Sequence, residues 1–271
     1  MSALRSSNPP ESAAAPEIQG RLEAYYTRYY RDVLAIPGWR EHVAMRLDDR
    51  AYEGRRLQRL ESALGRPVAE LRVLNVGCGT GGFNALAERA GAVALGVDTD
   101  REAVEIARLR VRPGRIVCAP AETLPFRSGS VDVVYCYSTL EHVADARRAL
   151  RELVRVLAPG GALYLHSPSR WSCFESHYKI LWPPGLAGWP GRAYLGARGR
   201  PAAFLADLRP VTLRQCMREL QASGIRTIHL LDGGVDRRVG GALWPAVRLY
   251  YRLFRIRPYV ELLAIKMTGG S

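Results

Sequence analysis

Short uninterrupted apolar runs alternate with helical periodicities along most of this chain. Runs rich in branched residues cover 71–76, 92–97, 115–119, 131–136 and 162–166, the pattern of strands buried on both faces of a parallel sheet. Between them, apolar residues recur three and four apart. Ala103, Ile106, Ala107 and Val111 follow the second run, and Leu150, Leu153, Val154 and Leu157 precede the fifth, with Asp145 as a start signal and Pro159, Gly160 and Gly161 as a stop; both predict helices. Further on, strands are expected over 225–231 and 259–267, a helix capped by Thr212, and a helix over 243–256 that covers the sheet. Upstream, 17–33 and 39–64 read as helices interrupted by Ile36, Pro37 and Gly38. The class is α/β, with seven strands and helices on both faces.

The length of 271 residues suits one α/β domain with decorations. The expected division is a disordered tail over 1–16, helices over 17–66, a sheet-forming first half over 67–168, an insert over 169–210 and a second half over 211–271. The insert combines His177, Tyr178, Trp182 and Trp189 with Pro183, Pro184 and Pro190. That is too broken for a long helix and too apolar for a free linker. No run approaches the roughly 18 apolar residues of a membrane-spanning helix, and the first residues do not read as a secretory signal. Five cysteines, an odd number and widely spaced, argue against a disulfide framework and a zinc site, so no metal and a reduced, cytoplasmic setting are expected. The formal charge is +13. Thirteen arginines stand against four acids over 192–257, either a solvated basic face or one that meets an anionic surface such as a membrane.

The chemistry gathers at the end of the first strand. There Val76 gives way to Gly77, Cys78, Gly79, Thr80, Gly81 and Gly82. Glycines permit positive φ and a close backbone approach, and the following helix offers free N–H groups, which suits a nucleotide-like ligand. Gly77, Gly79 and Gly82 fit G-x-G-x-x-G. Asp98 closes the next strand, where such folds use a carboxylate to accept hydrogen bonds from a ribose. Thr99 and Glu102 read as a capping box for the helix that follows, which leaves Asp98 to a ligand.

The wording V-L-N-V-G-C-G-T-G resembles the first motif of class I S-adenosylmethionine-dependent methyltransferases, especially the type 11 group, where the position of Asn75 is usually acidic. The resemblance is strong over 71–168 and implies a Rossmann-like sheet, mostly parallel with its last strand antiparallel, under an N-terminal helical lid. It implies S-adenosyl-L-methionine as cofactor, on Asn75, Gly77, Cys78, Gly79, Gly81, Asp98 and Thr99. Adenine would be read by Ala121 and Glu122, although Pro120 stands where an Asp is common. The segment after the fourth strand resembles the family's L-E-H-V stretch and implies that the backbone of Cys136 and Tyr137 holds the methionine part. His142 in that stretch and His166 at the end of the fifth strand are the candidate bases. His177 and Tyr178 of the insert are candidate acceptor contacts, and the lid tyrosines either line the pocket or dock their helix with hydroxyls in water.

The reading is a methyltransferase with a small or amphiphilic acceptor, methylated on oxygen. Nucleic acid is disfavoured, since Tyr137, Ser138, Thr139 and Leu140 stand where base-methylating relatives carry N-P-P-Y. Two competitors share the same residues. One is an NAD(P)-dependent oxidoreductase; the other is a non-catalytic cofactor-binding protein docked on membrane or nucleic acid through the basic half.

Overall fold

The computed structural model describes residues 15–232 and 241–268. The expected tail therefore lies, as far as residue 14, outside the described residues, and Ala15 and Pro16 open the first helix. Helix α1 (Ala15–Thr27) runs into a π-helical turn (Arg28–Val33), then α2 (Trp39–Leu47) and α3 (Asp49–Leu64). Asp48 caps α3 by accepting from the Ala51 N–H, and Gly65 ends it at φ +67°. The Leu34 N–H reaches back to the Tyr29 carbonyl, so the π turn is wide, and its tyrosines face a cavity described below.

Seven strands make one sheet in the order β3-β2-β1-β4-β5-β9-β8. They are β1 (Arg72–Val76), β2 (Val93–Asp98), β3 (Ile116–Cys118), β4 (Val131–Tyr137), β5 (Leu157–Pro168), β8 (Thr227–Leu230) and β9 (Tyr259–Ile265). β9 runs antiparallel to both β5 and β8, and the pairings among β1 to β5 are parallel. The order reverses between β1 and β4, which opens a crevice at their carboxyl ends. Successive strand residues face opposite ways. Leu74, Val76, Val134, Cys136 and Leu163 join α6 (Ala146–Val156) and α8 (Leu213–Ala222) in one core, where Leu150, Leu153, Cys216 and Leu220 are fully buried. Val73, Val133, Tyr135 and Tyr164 join Leu60 of α3 and Phe83 and Ala87 of α4 (Gly82–Arg89) in the other. The remaining helix of this half, α5 (Arg101–Arg108), follows β2.

The insert folds as a hairpin, β6 (Phe174–Glu175) with β7 (Ile180–Leu181), and α7 (Gly188–Ala197). Its Tyr178, Trp182 and Leu195 share a third core with Leu22, Tyr26, Tyr30 and Leu34. Lid and insert thus form one roof, a pairing that local periodicity does not encode. The last helix corrects an expectation. α9 (Trp244–Leu253) does not cover the sheet: only Tyr251 of its described side chains is buried, while Leu249, Leu253 and the following Phe254 are more than 60% exposed. It docks on the insert instead, with the Tyr251 hydroxyl accepting from the Cys173 N–H and the Tyr250 hydroxyl donating to the Trp171 carbonyl.

Candidate functional site

A cavity of about 1460 Å³ opens at the carboxyl ends of β1, β2, β4 and β5 and is closed over by the lid and the insert. Its floor is the glycine turn. The N–H groups of Gly77 and Cys78 both donate to the Val97 carbonyl, which ties the turn to the end of β2. Gly77 has φ +78°, and a Cβ there would fall 2.0 Å from Thr139 Oγ1. That oxygen in turn donates to the Val76 carbonyl, locking β1 to the segment after β4. Gly79, at φ +51°, has nothing within 4 Å of where its Cβ would be, and it lines the cavity. Its N–H donates to Asp98 Oδ2 at 2.7 Å, while the Asp100 N–H donates to Oδ1 at 2.9 Å. Burial pushes the Asp98 carboxyl up from its ordinary value, and these backbone donors oppose the shift.

Thr99 lines the cavity but does not cap α5. Asp100 does, accepting from the N–H groups of Glu102 and Ala103 with one oxygen and from the Tyr25 hydroxyl with the other. A carboxylate one position on out-competes a hydroxyl for the same donors. Ala121 and Glu122 also reach the cavity. The Glu122 carboxylate accepts from the N–H groups of Ala144 and Asp145, so it already braces the loop before α6.

Five candidates lie elsewhere. Asn75 is buried, and its amide donates to Asn84 Oδ1, joining β1 to α4. Cys78 packs with Ala85, Val104 and Ala107. Gly81 caps α4 at φ +79°, where a Cβ would meet that of Ala107 at 2.8 Å. Cys136 points into the core on the opposite side of β4 from Tyr137. Tyr178 is fully buried in the roof core, so it holds the insert rather than facing the cavity.

The opposite wall is a stack of rings and guanidinium groups, of which sequence reasoning singled out Tyr137, His166 and the lid tyrosines but missed the arginines. The Tyr137 ring lies parallel to that of His166 at 4.0 Å, and Tyr259 stacks on the far side of His166. Arg56 lies over Tyr137 and over Tyr52, and Arg46 over Tyr52 and over Tyr26. Arg46 donates to the Tyr26 hydroxyl, which shares a hydrogen bond with Thr80 of the glycine turn, and its buried Nε has no partner among the described residues. Arg46 and Arg56 more than offset burial and lower the Tyr52 pKa, and burial lowers that of Lys179 beside them. Arg59 pairs with Glu261, which also accepts from Tyr164. Tyr25, Tyr26, Tyr29 and Tyr30 of the lid line the cavity, and the hydroxyls of Tyr25 and Tyr26 bond within the protein. These arginines lie on helices with weak apolar stripes, and no spacing rule marks them.

Burial lowers the pKa of His166 to about 4, so its imidazole is neutral at pH 7. Its Nδ1 lies 3.4 Å from the Ser138 hydroxyl. A neutral ring there can hold or take a proton from a cavity ligand. His142 and His177 meet across the cavity, Nε2 to Nε2 at 3.2 Å, and His177 Nδ1 donates to Glu175 at 2.8 Å. Behind them Glu141 is buried and accepts from the Ser167 hydroxyl, and burial pushes its carboxyl up to about 7. The site therefore has a carboxylate and open glycines at one end, cations and aromatic faces at the other, and imidazoles between.

Comparison with known proteins agrees with this geometry. Residues 74–165 match the family model described as a methyltransferase domain. A ubiquinone biosynthesis O-methyltransferase of Xanthomonas oryzae pv. oryzae (strain PXO99A) is 36% identical over 108 residues, 38% of this chain and 45% of that protein. The aligned region thus spans about half the length of the curated relatives it matches. A SAM-dependent methyltransferase from Archaeoglobus fulgidus shares the fold with a TM-score of 0.54 at 16% identity, over 83% of this chain and 99% of that one. So does the [4+2]-cyclase SpnF, with a TM-score of 0.51 at 23% identity, over 79% and 82%. The matched segment, the sheet order and the glycine turn are those of a class I S-adenosylmethionine-dependent methyltransferase domain of the type 11 group, matched over residues 74–165.

Proposed function

We propose that this protein transfers the methyl group of S-adenosylmethionine to a hydroxyl oxygen of a small or amphiphilic acceptor. The observation that carries the reading is Asp98, held by the Gly79 N–H beside a glycine whose missing side chain leaves open space. The residues fit the cofactor. Asp98 keeps lone pairs for two ribose hydroxyls, the Ala121 backbone and Glu122 edge the adenine, and Gly77, Gly79 and Tyr137 flank the methionine part. The unpartnered Nε of Arg46 answers a carboxylate. The sulfonium methyl is already activated, so the chain's task is to align the acceptor and exclude water. Fixing two reactants in attack geometry is worth roughly 7–11 kcal/mol. A cavity of about 1460 Å³ exceeds the space of one drug-sized ligand and leaves room for an acceptor beside the cofactor.

His166 and His142 are the imidazoles that take the acceptor's proton, and His177 contacts the acceptor. Oxygen is favoured over nitrogen as the acceptor atom because neutral imidazoles line the path, and the curated relative is named an O-methyltransferase. No described helix is long and apolar enough to cross a membrane. The exposed apolar row and arginines of α9 support peripheral contact with an anionic membrane, from which an amphiphilic acceptor would be drawn. The five free cysteines are in keeping with a reducing, cytoplasmic setting.

Calorimetry with S-adenosylhomocysteine, followed by a radiolabelled methyl-transfer assay on phenolic and aliphatic alcohols, tests the reading. Asp98→Ala is expected to weaken binding about 10- to 100-fold, the loss of charge-assisted hydrogen bonds. Binding of NAD without S-adenosylhomocysteine would sink the proposal in favour of an oxidoreductase. Tight cofactor binding with no transfer to any acceptor would favour a non-catalytic role.

A further inference from the structure

We propose that Glu141, His142 and His177 form a binding site for one divalent transition metal ion of the zinc class, at the acceptor side of the cavity. The turn after β4, closed by the His142 N–H donating to the Thr139 carbonyl, points Glu141 inward and leaves His142 at the cavity. His177 arrives from the β6–β7 hairpin, 35 residues on. One donor atom from each of the three lies within 4.8 Å of the others. The two Nε2 atoms are 3.2 Å apart, and tetrahedral zinc with bonds of about 2.0–2.1 Å holds two nitrogens roughly 3.4 Å apart.

Two further observations point to a ligand. Glu141 is 1% exposed, and its Oε1 has no hydrogen-bond partner among the described residues although Oε2 is bonded to Ser167. A buried carboxylate oxygen left unpaired is costly, and a cation is the partner that answers it. Glu175 sits behind His177 and accepts from Nδ1, which fixes the tautomer with its Nε2 lone pair toward His142. That is the support a metal-binding histidine needs. A direct hydrogen bond between the two imidazoles would satisfy them but not Glu141. The metal satisfies all three.

With three protein ligands the fourth position stays open, and His142 and His177 turn it toward the cavity. On the methyl-transfer reading above, the acceptor hydroxyl binds there and ionises at lower pH, and its proton passes to His166; with the metal bound, His142 and His177 serve as its ligands in place of the base and contact roles given them above. The cysteines gave no sign of such a site, because its donors are histidine and glutamate from two distant segments.

The test uses the full chain after treatment with a chelator, titrated with zinc against a chromophoric competitor and separately with cobalt(II). One equivalent is expected to bind at micromolar or lower concentration, with the intense visible absorption of four-coordinate cobalt. His142→Ala with His177→Ala should abolish binding, and Glu175→Gln should weaken it about 10- to 100-fold through ring orientation. S-adenosylhomocysteine affinity, measured on the same variants, should be unchanged; this also confirms folding and separates failure here from failure of the cofactor reading. Absence of stoichiometric binding to the unmutated chain, or binding undiminished in the double variant, would overturn the proposal.

Discussion

Gly77 and Gly79 are two residues apart, share positive φ, and meet opposite surroundings. At Gly77 an added Cβ collides with Thr139, whose hydroxyl ties β1 to the segment after β4; at Gly79 it enters open cavity. Gly77→Ala is therefore expected to destabilise the fold by about 2–4 kcal/mol, from left-handed strain plus overpacking. Gly79→Ala should cost about 1–2 kcal/mol of stability from strain alone, yet lose most cofactor affinity because its methyl occupies ligand space. Chemical denaturation and calorimetry on the two variants check this. Equal stability losses, or a Gly79→Ala protein that binds normally, would contradict the assigned surroundings. The same scale explains where candidate side chains went. Cys136 and Tyr137 are neighbours in a strand, so only one side chain can face the ligand, and the pleat sends that of Cys136 into the core, which leaves the backbone role implied for it untouched. Asp100 rather than Thr99 caps α5, which no pattern of hydroxyl and acid three apart distinguishes in advance.

Among the elements, α9 departs most from expectation. Its periodic apolar residues read as a sheet-covering face, and the fold leaves Leu249, Leu253 and Phe254 in solvent beside exposed Arg248 and Arg252. Amphipathic spacing encodes that a face is apolar, not what it meets. The chain is expected to sediment with vesicles rich in anionic lipid and not with neutral ones. Leu249→Glu with Leu253→Glu should reduce that binding at least tenfold, and raised salt should weaken it, because each arginine near the surface contributes about 1 kcal/mol. Indifference to lipid charge would refute the role. Other elements followed their local signals closely, notably α6 from its Asp145 cap and α8 from Thr212. Their start signals lie within a turn of the donors they satisfy.

At the scale of the molecule, the cavity exists because two segments far apart in the chain, lid and insert, share one apolar core. Their attachment to the sheet half is apolar through Leu60 of α3 and Ile106 of α5, and polar at the site itself. Tyr26 meets Thr80, Tyr25 meets Asp100, and Arg110 bonds both the Thr80 carbonyl and Asp49. A ligand bridging glycine turn and lid should therefore stabilise the roof more than the sheet. S-adenosylhomocysteine at a hundred times its dissociation constant is expected to add about 2.7 kcal/mol to stability. It should also slow amide exchange over residues 25–34 and 176–182, read by mass spectrometry. Protection confined to the glycine turn would show that the roof does not close on the ligand.

The strands, the helices between them and the pairing of a glycine turn with Asp98 were legible in the residues alone, because each depends on periodicity or on residues within one strand-helix-strand unit. That Arg46 and Arg56 wall the cavity, that Tyr178 is core, that α9 leaves the sheet uncovered and that Arg59 meets Glu261 across 202 residues of chain emerged only on folding. Such partners are chosen when separate elements pack, by which face each turns inward. That choice is settled by the shape of the other element, which no local pattern carries.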